Sequence, residues 1–368
     1  MTKTSILDLS MVPCGCANHA LEELHKAISD PPGEGLWDRH QSPYIADHIE
    51  AVTARFASRL ARVQGALMVS PVSALRKAMD EDDVHAYLST KPTAEYSMED
   101  WLLYVDLVFS RYLPAGVIRH EAEYLAVRSV LAGVLQSYEH KLAGGQIQTI
   151  SGMLPETYKA ALDLGLISGE VTHNVIRFAE ARSAELMSGV SSALKSAIRK
   201  AVVSSEKAAA FGAPRVGLQS YFLDHFATAN RDWRRVAVTE CSLNANEGFI
   251  ASLAPGTTIE RVEYYSTACP FCRSIHGKRF VVSGPDDEKD GDVNVWLGKT
   301  NEGRSSSPRK QSPIGLIERT PEELWWVTSG PVHPNCRGTW NVVPGVPHPD
   351  VDPDFARWLD EKLRSIRS

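Results

Sequence analysis

No stretch of the sequence approaches the eighteen or so consecutive apolar residues that a membrane helix needs, so no membrane-spanning segment is expected. Neither sign of charge dominates: 39 Lys and Arg stand against 45 Asp and Glu, for a net charge of -6. A surface built to coat nucleic acid throughout carries a strong positive excess, and that class is excluded; a local basic face is not. Met1 to Ser10 contains Asp8 and lacks a continuous apolar core, so no secretory signal is expected, and with it goes the oxidising context that disulfides need. Cysteine is scarce as well, 6 in 368 residues, which rules out a disulfide scaffold. What remains is a composition of 43% hydrophobic and 23% charged residues, that of a globular chain long enough for two domains, each burying its own core.

Half of the cysteines fall in one split cluster. Cys269-Pro-Phe-Cys272 is followed, after a long interruption, by His333-Pro-Asn-Cys336. Together the two pairs offer three thiolates and one imidazole, a set that a tetrahedral zinc ion accepts. Residues 273–332 then form a closed excursion whose ends the metal pins. Four protein ligands leave no open position for water, so the site reads as structural and not catalytic. The competing readings are ordinary buried thiols or a disulfide, and no secretory context supports the second. Asn335 and Arg337 flank the ligands and are expected to supply hydrogen bonds to them.

Other constellations are weaker. Cys14, Cys16 and His19 lie close together but lack a fourth ligand, and read as incidental thiols in an irregular arm. His120-Glu121 would begin a zinc-protease HExxH motif, but Tyr124 stands where the second His must be, which leaves His120 as a helix-surface residue. Gly298-Lys299-Thr300 resembles the end of a phosphate loop, but Val293 occupies the position of the first Gly and no helix signal follows, so nucleotide binding is rejected. With no nucleophile matched to a base, no enzyme is expected.

Along the chain, residues 1–41 are broken by prolines and glycines and read as an arm with a short helix at 20–28. Ser42-Pro43 opens a long amphipathic helix through Ile45, Ile49, Val52, Phe56, Leu60 and Val63, with Arg55, Arg59 and Arg62 on its solvated face. Further helices are expected at 98–113, 117–142, 155–167 and 170–205. The last carries an apolar stripe of Val175, Phe178, Leu186, Val190, Leu194, Ile198 and Val202, and has Arg199, Lys200 and Lys207 at its end, where cations complement the helix dipole. A boundary is placed at 208–214. Beyond it the spacing predicts helices at 216–230 and 232–254, the second opening with Arg231, Arg234 and Arg235, for which Glu240 is the expected partner. Short strands follow at 259–264, 280–282, 325–327 and 339–343, with a polar, mobile insertion at 284–312 and a tail helix within 350–368.

The order of motifs in the C-terminal third carries a resemblance. Arg235, Thr239-Glu240, Asn246 and Gly248 on a helix, then Cys269 to Cys272, Gly277-Lys278-Arg279-Phe280, and His333-Pro334-Asn335-Cys336-Arg337 are similar to the C-terminal domain of the phage Mu F-like head morphogenesis proteins, the minor head proteins of tailed bacteriophages. Two positions depart from that pattern: Gly338 stands where the family has a further Cys, and Ser266-Thr267-Ala268 replaces an acidic residue before the CxxC. The helical spacing thus gives a mainly α N-terminal helical domain (42–210) and a tail at 346–368, and between them the resemblance implies a small α+β C-terminal domain (216–345) with a short antiparallel sheet tied by the Cys/His cluster. The resemblance further implies a structural protein of the virion, assembled in the bacterial host cytoplasm. Its partners would be the portal protein and other capsid or scaffold subunits, with no membrane and no small-molecule substrate. The alternative is a zinc-dependent nucleic-acid-binding module touching packaged phage DNA, motivated by Arg231, Arg234, Arg235, Lys278 and Arg279.

Overall fold

A computed structural model describes residues 40, 42–68, 88–91, 95–142, 145–167, 169–210, 218–343 and 353–367. Cys14, Cys16, His19 and the expected helix at 20–28 lie outside them. The chain is mainly helical, with a small mixed sheet in its C-terminal region. Helix α1 (Pro43–Met68) begins where the Ser42 carbonyl accepts the first helical hydrogen bonds, and buries the expected stripe from Ile45 to Val63. A capping box starts α2 (Met98–Tyr112): the Asp100 N–H donates to Ser97 Oγ at 3.2 Å, and the Ser97 N–H donates to Asp100 Oδ2 at 3.0 Å. Pro114 separates α2 from α3 (Ala115–Ser137).

The helical core is built around α3, which is buried on nearly every side, as a helix apolar all round must be. Helices α4 (Gln146–Gly152) and α5 (Tyr158–Asp163) are short; α6 (Glu170–Ala210) and α7 (Leu218–Ala251) are long and run against α3. The contact of α3 with α7 is made by backbone: a Cβ on Gly133 would lie 1.8 Å from the Ala245 carbonyl oxygen, and one on Gly248 would lie 2.2 Å from that of Val130. Only glycine permits that approach at either position. No single described helix is long and apolar enough to cross a membrane. The pair α2 and α3 reaches the length only across a 42° bend.

Several expectations are corrected here. The helices expected at 216–230 and 232–254 are one helix, α7, because nothing near residue 231 breaks the helical pattern. Arg231, Arg234 and Arg235 are therefore mid-helix, and Glu240 pairs with Arg182 of α6 at 2.7 Å instead of with them. Arg55 and Arg59 do not form a solvated face, since both bind the buried Glu121 at 2.8 Å. On α6 the buried stripe runs through Ile176, Ala179, Ser183, Met187, Ser191, Leu194, Ile198 and Val202, while Phe178 is 77% exposed and Leu186 also faces outward. The expected Leu194, Ile198 and Val202 are buried, but earlier in the helix small and hydroxylated residues line the buried side, so hydrophobicity misplaces Phe178 and Leu186. Because α6 continues to Ala210, Arg199 is not at its end; it and Lys195 bind Asp106 of α2 at 2.6 and 2.9 Å.

The second core gathers under a four-stranded sheet of order β3-β2-β1-β6, formed by β1 (Thr258–Val262), β2 (Arg279–Val282), β3 (Asn294–Val295) and β6 (Thr339–Val342). The helix α8 (Pro270–Ile275) lies between β1 and β2. Pairing is antiparallel between β1 and β2 (Ile259 opposite Phe280) and between β1 and β6 (Arg261 opposite Trp340), but β2 and β3 run parallel. The sheet is thus mixed, not antiparallel throughout, and its fourth strand is 294–295, not 325–327. At 325–327 the backbone is engaged elsewhere: the Trp325 N–H donates to the Ser305 carbonyl and that of Trp326 to Asn301 Oδ1. Phe249, Ile250, Ile259, Phe280, Val282, Val295 and Trp340 fill this core, and α7 contributes to both cores, from Phe222 to Ala245 in one and from Phe249 in the other. The expected boundary at 208–214 lies largely in undescribed residues, and the two cores meet further on, within α7.

The insertion at 284–312 is folded. It supplies β3 and β4 (Arg309–Ser312), the latter pairing with β5 (Gly315–Glu318) in a separate hairpin. Its Lys299 is buried with Nζ donating to the carbonyls of Gly291 (2.6 Å) and Asn294 (2.7 Å), among the rings of Phe280, Trp296 and Trp326. Asn301 donates to the carbonyls of Trp326 and Val332, and Glu247 of α7 accepts the Gly298 N–H. The tail forms α9 (Pro353–Arg367), which buries Phe355, Trp358 and Leu359 in the helical core, Phe355 stacking on Tyr138.

Candidate metal centre

The two halves of the cluster meet beside the sheet. Cys269 is the N-cap residue of α8, its Sγ accepting the Cys272 N–H at 3.4 Å, with Pro270 at the first helical position. One turn of helix thus aims both sulfurs the same way. His333 and Cys336 sit in the turn before β6, which closes through the Cys336 N–H on the His333 carbonyl (3.1 Å) and places Asn335 at φ +66°, a left-handed conformation that Asn tolerates better than most residues. Two residues of α7 hold this turn in place: Thr239 Oγ1 accepts the Asn335 N–H at 2.8 Å, and Asn246 Nδ2 donates to the Gly338 carbonyl at 2.9 Å.

His333 Nε2 lies 3.4 Å from Cys269 Sγ and 3.3 Å from Cys272 Sγ, and Cys272 Sγ lies 3.8 Å from Cys336 Sγ. A tetrahedral zinc ion, bonded at about 2.3 Å to sulfur and about 2.0 Å to nitrogen, would set these edges at about 3.8 Å between sulfurs and about 3.5 Å between sulfur and nitrogen. The distances fit. The imidazole is also oriented to ligate: Nδ1 donates to the Pro334 carbonyl at 2.9 Å, which turns Nε2 toward the sulfurs. Trp325 stacks on the ring and fixes its plane.

Cys269, Cys272 and His333 form a group whose donor atoms all lie within 4.8 Å of one another, and this group can hold a metal ion. Cys336 joins it through Cys272 and belongs to a second group of the same closeness with Cys272 and Glu263. Its sulfur is 3.7 Å from both Glu263 oxygens, accepts from the Tyr265 hydroxyl at 3.5 Å and lies 4.0 Å from Arg261 Nη2. The expected donors Asn335 and Arg337 serve the turn: Arg337 Nη1 donates to the Asn335 carbonyl at 3.3 Å.

Electrostatics favour thiolate at part of the cluster. Burial opposes ionisation of Cys269, but hydrogen bonds from the Cys272 backbone and side chain, and the neighbouring His333, outweigh it and hold the thiol below its usual range. The hydrogen bond between Cys272 and Cys336 divides that pair, raising Cys272 and depressing Cys336, whose thiolate Arg261 also stabilises. Metal binding at such a pair displaces the shared proton. Glu263 is pushed up to about 7 by burial, against the pull of Arg261. His40, buried at the edge of the described N-terminal segment, feels the charges of Arg337 and Cys336; burial first, then Arg337, push it down to about 3, so it is neutral.

Compared with protein-family models, with curated proteins and with solved structures, the chain gives no match. Its function is argued from the geometry. Sequence reasoning found the three residues that can hold a metal ion and Cys336, and missed Arg261, Glu263 and Tyr265. The signal for Arg261 was present: β1 alternates inward at Ile259 and Arg261, and a charged residue at an inward position of a short strand needs a buried partner.

Elsewhere among the described residues, His48, Ser129 and Cys241 come together inside the helical core. Burial pushes the Cys241 thiol up to about 12, and the Ser129 hydroxyl is committed to the Leu125 carbonyl at 2.6 Å. A buried, protonated thiol is inert as a nucleophile.

Proposed function

We propose that the chain is a minor head protein of a tailed bacteriophage, acting in capsid assembly and head morphogenesis beside the portal or the inner capsid. In this reading Cys269, Cys272, His333 and Cys336 bind one structural zinc ion, which ties α8 to β6 and holds the insertion between them. When bound, zinc supplies cross-linking and no chemistry. The single observation that carries the reading is that residues from distant parts of the resemblance meet around one site: Thr239 and Asn246 hold the His333 to Gly338 turn, while Gly248 seats the same helix on α3. The helical core and the tail helix would then present the partner surfaces.

The DNA-contact alternative is not favoured. Arg234 binds Glu50 at 2.8 Å, Arg279 binds Glu260 at 3.1 Å, and Arg231 and Arg235 both face Asp232. These pairings compensate most of the positive charge that motivated it.

Two measurements test the proposal. Metal analysis of the purified chain should find about one zinc per chain, and zinc-free protein with an intact sheet would overturn the structural role. Mass spectrometry of proheads and virions, with copurification of the portal protein, should place the chain in the particle; its absence from both would overturn the assembly role.

A further inference from the structure

The donor groups around the metal centre overlap. Cys272 belongs both to the set with Cys269 and His333 and to the set with Cys336 and Glu263, and donor spacing does not choose between them. What differs is Arg261. Its side chain is fully buried, with Nη2 2.8 Å from Glu263 Oε1 and 4.0 Å from Cys336 Sγ, its guanidinium over the Trp340 ring, and Nη1 without a partner. An ion bonded to Glu263, at about 2.1 Å, would be pressed against a buried cation that already holds that carboxylate at 2.8 Å. Gly338 makes room for this arrangement: a Cβ there would lie 1.8 Å from Glu263 Oε1 and 2.5 Å from Arg261 Nη2.

Resting on the metal-site reading above, we propose that Arg261 decides which donor set takes the ion. By holding Glu263, it closes the Glu263, Cys272 and Cys336 set to a divalent cation and directs the ion to the side of Cys269 and His333. Arg261 is then a positioning residue for metal selectivity, and Glu263 is a latent ligand kept out of use.

The test uses the full chain and cobalt(II) alone as the probe, following the thiolate-to-cobalt charge-transfer absorption to obtain affinity and stoichiometry. With Arg261 present, Cys269→Ser should weaken cobalt binding by about a hundredfold. In an Arg261→Met background the same substitution should cost less than about tenfold, because Glu263 becomes available, and adding Glu263→Gln should restore the full loss. If Cys269→Ser costs the same factor in both backgrounds, the proposal is overturned. Should Arg261→Met fail to fold, Glu263→Gln with Arg261 intact decides. Affinity within about threefold of the parent supports the proposal, and a tenfold loss shows Glu263 to be a native ligand and overturns it. A parent chain that binds no cobalt overturns the metal reading and this inference together, a result distinct from a parent that binds while the variants fail to diverge.

Discussion

Around α3 most buried side chains are apolar and two helices touch backbone to backbone, whereas around β1 a strand of five residues carries a fully buried arginine and leans on a Cys/His cluster. The first region draws its stability from burial and close packing. The second has strands of two to five residues and a small apolar core, so cross-links must contribute what area does not. The two regions should therefore fail under different insults.

Chelation gives the largest effect. Structural zinc contributes on the order of 10 kcal/mol to small folds, so removing it should abolish hydrogen-exchange protection of β1, β2 and β6 while α3 keeps its own. Equal loss in both regions, or none, would break the comparison. Gly248→Ala should come next: the added carbon meets the Val130 carbonyl, and since the helices cannot separate without opening the core, thermal unfolding should report a loss of about 3 kcal/mol. Unlike chelation, this change should lower protection in α3.

A smaller effect is expected at Glu121. Burial would raise its carboxyl, but Arg55 and Arg59 bind both oxygens and hold it below its ordinary value of 4.5. Its contribution is therefore complete above that value and lost as the pH falls through the depressed one. Glu121→Gln should cost about 2 kcal/mol at neutral pH and flatten the acid limb of helical-core stability, leaving the sheet region unchanged. The smallest effect is Ser97→Ala, which removes the cap of α2 and should cost about 1 kcal/mol in a denaturant titration.

Helices were the most legible part of the sequence, because runs such as Ile45 to Val63 bury long apolar stripes bounded by Ser-Pro or Pro. Legibility failed where burial is not hydrophobic. The inward faces of α6 and β1 carry Ser183, Ser191 and Arg261, while Phe178 and Tyr264 stand outside, 77% and 82% exposed. A two-residue strand such as β3 has no period to read, and its parallel pairing depends on a folded insertion whose polar composition suggests mobility. At the Cys/His cluster the candidate ligands announced themselves by spacing. The residues that surround them come from positions 239, 246, 261 and 263, which only the tertiary fold brings near.

One helix of 34 residues, α7, runs through both regions, about 50 Å of rod with no break. Its first half is anchored by Phe222 and Phe226 in the helical core, and its last turns, through Asn246, at the turn that follows His333. A load applied at either terminus meets one continuous helix, so docking that turns the helical end is expected to carry the end with the Cys/His cluster along with it.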